Sequence, residues 1–334
     1  MLDFIPFPIW YSILSKCSLS DIFNFMCISK EHFEIYYLIL KEKIKETSDY
    51  DLAYIRSHGN SFIKEMARKE LLRRYPQLKP MNNDTIREAV KLSPSNYNKY
   101  YGPIQLWDVS EVTDMKKLFM HMKEFNEDIS NWDVSNVTDM SYMFCAAEHF
   151  NQDIGSWDVS SVIDMSAMFG KAIDFNQDIG NWDVSNVHYM YGMFLGAMEF
   201  NQDIGNWDVS NVETMNSMFH NTINFNQNIG NWDVSNVQIM YKMFSEATNF
   251  NQDIGNWDVS NVETMERIFY DATSFNQDIG NWDISNVETM EEMFYGATHF
   301  NQDISNWDIS NIQNIAGMFT GATNMEDRFK PSIS

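Results

Sequence analysis

The sequence predicts an α/β solenoid preceded by a small all-α domain, and three observations carry this prediction. Nine tryptophans recur at a constant spacing of 25 residues with no insertion, and each lies in the same pattern of apolar and polar positions. No proline occurs between residues 104 and 330, whereas the first 103 residues contain prolines and most of the Lys and Arg. A short, constant period indicates stacked coils that are each too small to bury their own apolar face. The repeated tryptophans are Trp107, Trp132, Trp157, Trp182, Trp207, Trp232, Trp257, Trp282 and Trp307.

The pattern within one coil predicts its elements, with offsets counted from the tryptophan as zero. Apolar residues lie at −3, 0, +2, +5, +8, +11 and +12, Ala is usual at +15, and Phe follows at +18. The alternation in Ile-x-x-Trp-x-Val predicts a short strand. The spacing in Val-x-x-Met-x-x-Met-Phe predicts a short helix or 3₁₀ turn. We therefore expect nine coils, each with a short parallel strand, a short helix and a return segment. In the coil of Trp207 the inward residues are Ile204, Val209, Val212, Met215, Met218 and Phe219.

The Trp-Asp-Val-Ser and Phe-Asn-Gln-Asp-Ile signatures resemble the leucine-rich repeat, specifically its BspA-like variety. The resemblance covers residues 104–325 and implies a curved solenoid with a parallel sheet on its concave face. One departure is Val at +5, where the leucine-rich consensus has Asn. We expect the asparagines at +19, such as Asn126 and Asn151, to form the ladder inside the loops instead.

The first 45 residues predict small helices over Ile9–Lys16, Ser20–Phe25 and Glu31–Lys45. The order of Ile, Pro and Leu residues in this segment resembles the F-box. The resemblance implies that the segment docks the Skp adaptor of a cullin ubiquitin ligase. The alternative is that these apolar residues pack a small helical domain. The adaptor-binding residues that the resemblance implies are Ile5, Pro6, Ile9, Ile13, Leu14, Leu19 and Ile22.

Residues 46–103 predict a helical linker that caps the first coil, and residues 326–334 predict a polar tail. One helix is expected over Phe62–Tyr75 and a second over Thr85–Leu92, with Asn83 or Asp84 as its N-cap. Ser93–Pro103 is expected to be a connector. The basic residues of the first of these helices alternate with glutamates, which favours a solvated face over a nucleic-acid or lipid contact.

The net charge of −24 over 334 residues is unevenly distributed. Residues 1–103 carry 15 basic and 12 acidic residues, whereas residues 104–334 carry 8 and 35. An acidic surface repels phosphate backbones, so we expect no nucleic-acid partner. Three cysteines and the lack of a signal-like or membrane-spanning segment favour the cytoplasm, that of a host cell if the chain is viral, and no membrane partner.

Aspartates form two columns along the predicted coils, at +1 and at +21. For the +21 column we favour turn formation, because short polar side chains satisfy turn backbone. For the +1 column we favour recognition of a basic partner, because a strand position has little backbone to satisfy; a row of Ca²⁺ sites is a weaker alternative. The +1 aspartates are Asp108, Asp133, Asp158, Asp183, Asp208, Asp233, Asp258, Asp283 and Asp308.

Variable positions add a second set of candidate contacts, because residues that differ between coils are not needed by the coil itself. Tyr189, Tyr191 and Tyr241 are such residues, and exposed aromatics are typical interface anchors. We find no spacing typical of a catalytic, metal or cofactor site, so the sequence predicts a protein that is not an enzyme.

The function expected is protein–protein interaction. In the leading hypothesis the repeats bind a client and the F-box-like domain links it to a cullin ubiquitin ligase. The alternative is a surface or adhesion repeat protein without a ubiquitin-ligase role.

Overall fold

A computed structural model describes residues 33–58 and 61–332 of the chain. Within these ranges, five α-helices precede a stack of nine coils that starts near residue 104. A 3₁₀ turn at Ile104–Leu106 leads into the stack, and another at Asp327–Phe329 follows it. The helices are α1 Phe33–Glu46, α2 Asp49–His58, α3 Ser61–Arg74, α4 Asn83–Val90 and α5 Pro94–Tyr101.

The helical region agrees with the prediction in part. Helices α1, α3 and α4 lie where the sequence predicts helices, although the N-cap of α4 is Asn82, whose side chain accepts from the backbone N–H of Asp84 and Thr85. Helix α2 was not predicted, and the expected connector Ser93–Pro103 contains helix α5, which has Pro94 in its first turn. The predicted helices Ile9–Lys16 and Ser20–Phe25 lie outside the described residues.

The core of the stack consists of the apolar positions that the repeat pattern predicts. The rings and side chains at −3, 0, +2, +5, +8, +11, +12, +15 and +18 are buried in nearly every coil. In the first eight coils the phenylalanines at +12 and +18 stack at 3.8 to 4.1 Å, as Phe194 and Phe200 do, and each ring at +12 lies against the equivalent ring of the next coil. The ninth coil has Met325 at +18. Because the +12 rings of the inner coils are packed on both sides, an inner coil cannot bury its core alone.

Columns of backbone hydrogen bonds join the coils. Four columns donate toward the next coil, and two others, from the N–H groups at +6 and at +17 in most coils, donate toward the preceding coil. The N–H groups at +8, +10, +12 and +14 donate to the carbonyls at +7, +9, +11 and +13 of the next coil, with N···O distances of 2.6 to 3.3 Å. Within a column, the carbonyl that accepts a bond belongs to the same peptide group as the N–H that donates to the following coil. The bonds therefore form continuous chains from the first coil to the ninth.

The predicted α/β class is wrong: the described residues contain no β-strand and no helix within a coil. The segment Ile-x-x-Trp-x-Val forms two tight turns, in which Trp207 N–H donates to Ile204 O and Val212 N–H donates to Val209 O. A parallel ladder requires bonds in both directions along the paired segments. Here the reverse bonds that flank the four columns occur only at +6, where for example Ile163 N–H donates to Thr138 O at 2.9 Å. Parallel bridging within the stack is therefore limited to isolated pairs 25 residues apart, such as Tyr189 with Thr214.

The predicted short helix is a run of turns with alternating backbone handedness. The residues at +10 and +14 have positive φ in every coil, for example Ala146 at 57° and Ala167 at 49°. A residue in this region interrupts a right-handed helix after each turn. The apolar spacing of 3 and 4 thus arises from successive turns.

The asparagine ladder predicted at +19 is confirmed. Asn126 Oδ1 accepts from Asn151 N–H at 2.9 Å, and the same bond recurs along the stack as far as Glu326 N–H, which donates to Asn301 Oδ1 at 3.0 Å. The glutamine at +20 reinforces this ladder, since Gln177 Nε2 donates to the backbone and side-chain oxygens of Asn151.

Candidate functional site

Each +1 aspartate uses one carboxylate oxygen to close a local turn. In Asp208, Oδ1 accepts from Ser210 N–H at 3.1 Å and from Ser210 Oγ at 2.6 Å, and most other coils repeat this pair. These hydrogen bonds, first among them the one from the serine hydroxyl, lower the pKa of Asp183, Asp258 and Asp308. The +1 side chains therefore do have backbone to satisfy, contrary to the sequence argument.

The second carboxylate oxygen of the later aspartates is left free. From Asp158 to Asp308 the +1 side chains are exposed, and their Oδ2 atoms accept no hydrogen bond from any described residue. In each of these aspartates, Oδ1 thus closes the local turn, and Oδ2 is free to accept a bond from a partner.

The +21 aspartates form the turns that the sequence predicts. Asp203 Oδ1 accepts from Gly205 N–H at 3.0 Å, and the turn recurs in six of the coils with Gly at −2. Asn228 replaces Asp in one of them and makes the same bond to Gly230 N–H, also at 3.0 Å. The turn therefore requires an oxygen and not a negative charge.

Spacing between coils is widest on the side that carries the aspartates. Trp207 and Trp232 are 6.5 Å apart, the phenylalanines at +12 are 5.6 to 5.8 Å apart, and Tyr270 and Tyr295 on the hydrogen-bonded side are 4.7 Å apart. Equivalent points on successive coils diverge on the outer side of a bend. The +1 column, next to the tryptophans, lies on this outer side, so the concave location that the resemblance implied is wrong.

Helix α3 sits on the first two aspartates of the +1 column. Lys64 Nζ lies 3.7 Å from Asp133 Oδ2, and Arg68 Nε lies 4.0 Å from Asp108 Oδ2. Beside them Arg56 is buried and donates to the carbonyls of Leu106 and Trp107 at 2.8 and 2.7 Å. Of the basic residues predicted to form a solvated face, Lys69 and Arg73 are exposed, whereas Arg68 approaches the acidic column.

The three tyrosines lie on the opposite, hydrogen-bonded stretch of the coil. Tyr189 occupies the bridged position +7 and is 41% exposed, and Tyr191 and Tyr241 occupy +9. Ile163 and Ile239 are also exposed nearby at +6 and +7. Among the described residues no hydrogen bond or ring contact joins these side chains to the aspartates, so the candidate residues fall on two separate surfaces.

Comparison with known families identifies the repeat. A family model described as "Mycoplasma protein of unknown function, DUF285" matches residues 90–201, 154–245, 173–271 and 227–331. The chain belongs to the DUF285 family. No curated protein and no solved structure matches the chain.

The DUF285 matches begin at residue 90, so they do not test the predicted adaptor-binding site. The residues of that site, Ile5 to Ile22, also lie outside the described part of the chain. Within residues 33–58 and 61–332, no helix is long and apolar enough to cross a membrane. In the same ranges, no group of three or more His, Cys, Asp or Glu side chains could hold a metal ion.

Proposed function

We propose that this repeat protein is a protein-interaction module whose +1 aspartates bind a basic helix of a partner. The observation that supports the proposal is the contact of α3 with Asp108 and Asp133, because its cations lie beside the same Oδ2 atoms that the later aspartates leave free. From coil 3 onward the segments between +21 and +4 carry seven aspartates at +1 and six at +21, and they contain no Lys or Arg.

The spacing of the coils fits a helix that lies along the stack. Lys64 and Arg68 are four residues apart and reach aspartates of adjacent coils. Four residues of an α-helix rise about 6 Å, close to the 6.5 Å between adjacent tryptophans. A helix with Lys or Arg at every fourth position would therefore place one cation on each coil.

The aspartate columns carry more negative charge than the turns require. Asn228 shows that a neutral amide closes the +21 turn equally well. Two unit charges about 6.5 Å apart repel each other by about 0.6 kcal/mol in water, and a basic partner would remove this repulsion along the column.

The test uses an alanine-based helical peptide with Lys at every fourth position and the triple variant Asp183→Asn, Asp208→Asn, Asp233→Asn. Asparagine keeps the Oδ1 acceptor for each serine and removes only the charge. We expect the peptide to bind the native chain, to weaken at least tenfold between about 50 and 500 mM salt, and to bind the triple variant at least fivefold more weakly.

A matched control removes three charges elsewhere. Glu213, Glu263 and Glu288 are exposed at +6, on the hydrogen-bonded side, and their change to Gln alters the net charge by the same amount. Equal loss of binding in both triple variants, or preference for a peptide with Lys at alternate positions of an extended chain, would contradict the proposal.

The link to a cullin ubiquitin ligase is a separate proposal that rests on the F-box resemblance of residues 5–22. If these residues dock the Skp adaptor, changing Ile9 and Leu14 to Asp should abolish its capture in a pull-down. Capture by the double variant, or none by the native chain, would remove the ligase role and leave the interaction module in place.

A further inference from the structure

The last coil of the stack presents an open edge of backbone donors. In each of the first eight coils the N–H groups at +8, +10, +12 and +14 donate to carbonyls of the following coil. In the ninth coil the N–H groups at these offsets donate to no acceptor among the described residues. Unpaired backbone donors in a row at an exposed edge are a template for pairing with another chain. The four donors belong to Ile315, Gly317, Phe319 and Gly321.

The tail takes the place of a tenth coil over only a few residues. Glu326 N–H donates to Asn301 Oδ1 at 3.0 Å, and Ile304 N–H donates to Phe329 O at 3.0 Å. These two contacts involve the offsets −6 and −3 of the ninth coil. They therefore leave the donors at +8 to +14 unpaired.

The donors lie beside a cavity of about 360 Å³ between the ninth coil and the tail. Its walls include Ile315, Gly317 and Phe319, which carry three of the four donors, and Lys330 and Pro331 of the tail. Gly317 is exposed and Ile315 is half-buried, whereas the residue at +8 is fully buried in each of the first eight coils. Lys330 Nζ lies over the Phe319 ring, 5.6 Å from its centre. Ile315 is thus the apolar contact that remains open to an incoming side chain.

The interfaces between coils show what complements such a row. In the fourth coil the carbonyls of Tyr189, Tyr191, Met193 and Leu195 accept from the donors of the third coil at 2.6 to 3.0 Å. The complement is therefore a chain segment that presents carbonyl groups at alternate residues, with an apolar side chain between the first two. The edge of the ninth coil continues this interface by one step.

A second copy of the chain does not fit the edge through the end of its own stack. At the first coil, Arg87 of α4 already donates to the carbonyls of Asp114 and Lys116, at 3.3 and 2.7 Å, and Leu118 is only 3% exposed. Two ninth coils placed face to face would oppose donors with donors. The complement therefore comes from a different protein.

We infer that the open edge of the ninth coil binds an extended segment of a partner protein, whose alternate carbonyls accept from the four donors and whose apolar side chain enters the cavity beside Ile315. Addition of a chain segment to an exposed edge is a recurring mode of recognition, in which backbone bonds supply affinity and pockets supply specificity. The inference goes beyond the proposed function, because it uses neither acidic column and needs no basic helix.

The experiment measures the fluorescence anisotropy of a labelled peptide with the sequence of residues 188–196, His-Tyr-Met-Tyr-Gly-Met-Phe-Leu-Gly. This peptide contains the four accepting carbonyls of the fourth coil and no Lys, Arg, Asp or Glu. We expect saturable binding to the full chain. A matched peptide with ester bonds after Tyr191 and Met193 has weaker acceptors at these two carbonyls, and it should bind at least tenfold more weakly.

Hydrogen exchange locates the site without a change in the chain. The bound peptide should slow the exchange of the four donor N–H groups of the ninth coil, because each becomes hydrogen-bonded.

Variants of the chain test one donor and the cavity. Ile315→Pro removes an N–H and should weaken binding at least tenfold. Ile163→Arg changes an exposed apolar residue of another surface and should leave binding unchanged. If circular dichroism shows that Ile315→Pro does not fold, Ile315→Arg replaces it, because it keeps the N–H and places a charge in the cavity.

Four results would overturn the inference. These are no saturable binding, equal binding of the ester peptide, slowed exchange only in other segments of the chain, and oligomers of the free chain that Ile315→Pro dissociates. The last result would mean that a second copy covers the edge.

Discussion

At the scale of single residues, the positions +10 and +14 show how the coil departs from regular structure. Their left-handed backbone is unfavourable for any residue with a Cβ, by roughly 1–2 kcal/mol. Gly192 and Gly196 occupy these positions in one coil, but Tyr142 and Ala146 occupy them in another. The hydrogen-bond columns hold these residues in place, because the N–H of each donates to the next coil.

This strain predicts that Ala146→Gly is stabilising, by up to about 1 kcal/mol, since relief of the left-handed strain exceeds the added entropy of the unfolded chain. The control is its neighbour Ala147, which has a negative φ and is fully buried. Ala147→Gly should destabilise by about 1–2 kcal/mol through loss of a buried methyl and gain of chain entropy. Denaturant unfolding of both variants measures the difference, and a loss of stability in Ala146→Gly would contradict the strain argument.

Glu70 predicts a pH dependence at the same scale. Hydrogen bonds from Arg73, and further ones from Arg74, hold its pKa at about 2 in a nearly buried site. A carboxyl whose pKa is lowered in the folded state stabilises the fold above its unfolded value near 4.5 and loses this effect as pH falls toward 2. We expect Glu70→Gln to lower the stability at pH 7 by about 1–2 kcal/mol, less than the full pKa shift would give, because the Arg73 side chain is largely exposed to solvent. The difference from the native chain should vanish between pH 4.5 and 2 in urea unfolding, and a difference that does not change with pH would be inconsistent with this role.

At the scale of the element, one coil is a succession of turns that packs closely against the next coil. The glycines at −2 illustrate this, because a Cβ on Gly205 would overlap the carbonyl oxygen of Asn228 in the following coil. Six coils have glycine at this offset, whereas the coils of Trp132 and Trp307 have Ser130 and Ser305 there. Glycine thus allows the close approach in the six coils that carry it.

Gly205→Ala is accordingly expected to destabilise the stack by about 1–3 kcal/mol through overpacking against backbone. Asn206→Ala, one residue later at an exposed position, should change the stability by less than about 0.5 kcal/mol. Thermal unfolding of the two variants provides the comparison. Equal effects would show that the close approach relaxes without cost.

At the scale of the whole molecule, the net charge is concentrated in columns on the outer side of the bend. The helical region neutralises the first two +1 aspartates and leaves the later ones exposed. The self-repulsion of a charged row is screened by salt. The stability of the entire stack should therefore depend on ionic strength.

The stability of the variant Asp183→Asn, Asp208→Asn, Asp233→Asn relative to the native chain is expected to be higher at about 20 mM salt than at about 1 M, because salt screens the repulsion that the variant removes. Asp133→Asn should behave in the opposite way at low salt, because it loses Lys64 as a partner. Melting temperatures at both salt concentrations measure this. A difference in melting temperature between the triple variant and the native chain that does not change with salt would contradict repulsion along the column.

The sequence predicts the architecture of this protein better than its elements. The fixed period and the buried set from Ile204 to Phe219 follow from amino-acid pattern, because burial depends on which residues are apolar. The strand and the short helix could not be distinguished from turns, because the same apolar spacing fits both and the left-handed residues include Lys, Tyr and Glu as well as Gly. In the candidate site, the hydrogen bonds between the +1 aspartates and the serines could have been predicted from the Asp-x-Ser motif, which is typical of a local turn. The motif was not interpreted in this way because the segment was assigned to a strand. The contact of Lys64 and Arg68 with two coils requires knowledge of how α3 packs.

The continuous peptide columns also constrain how such a protein can change over evolutionary time. An inserted or deleted single residue would shift a donor away from its acceptor in all four columns, whereas duplication or loss of one whole unit would leave every donor opposite an acceptor. Genes for proteins of this kind should therefore vary in length by in-frame units of one coil. A lineage could lengthen or shorten the row of aspartates offered to a partner without having to redesign a single turn.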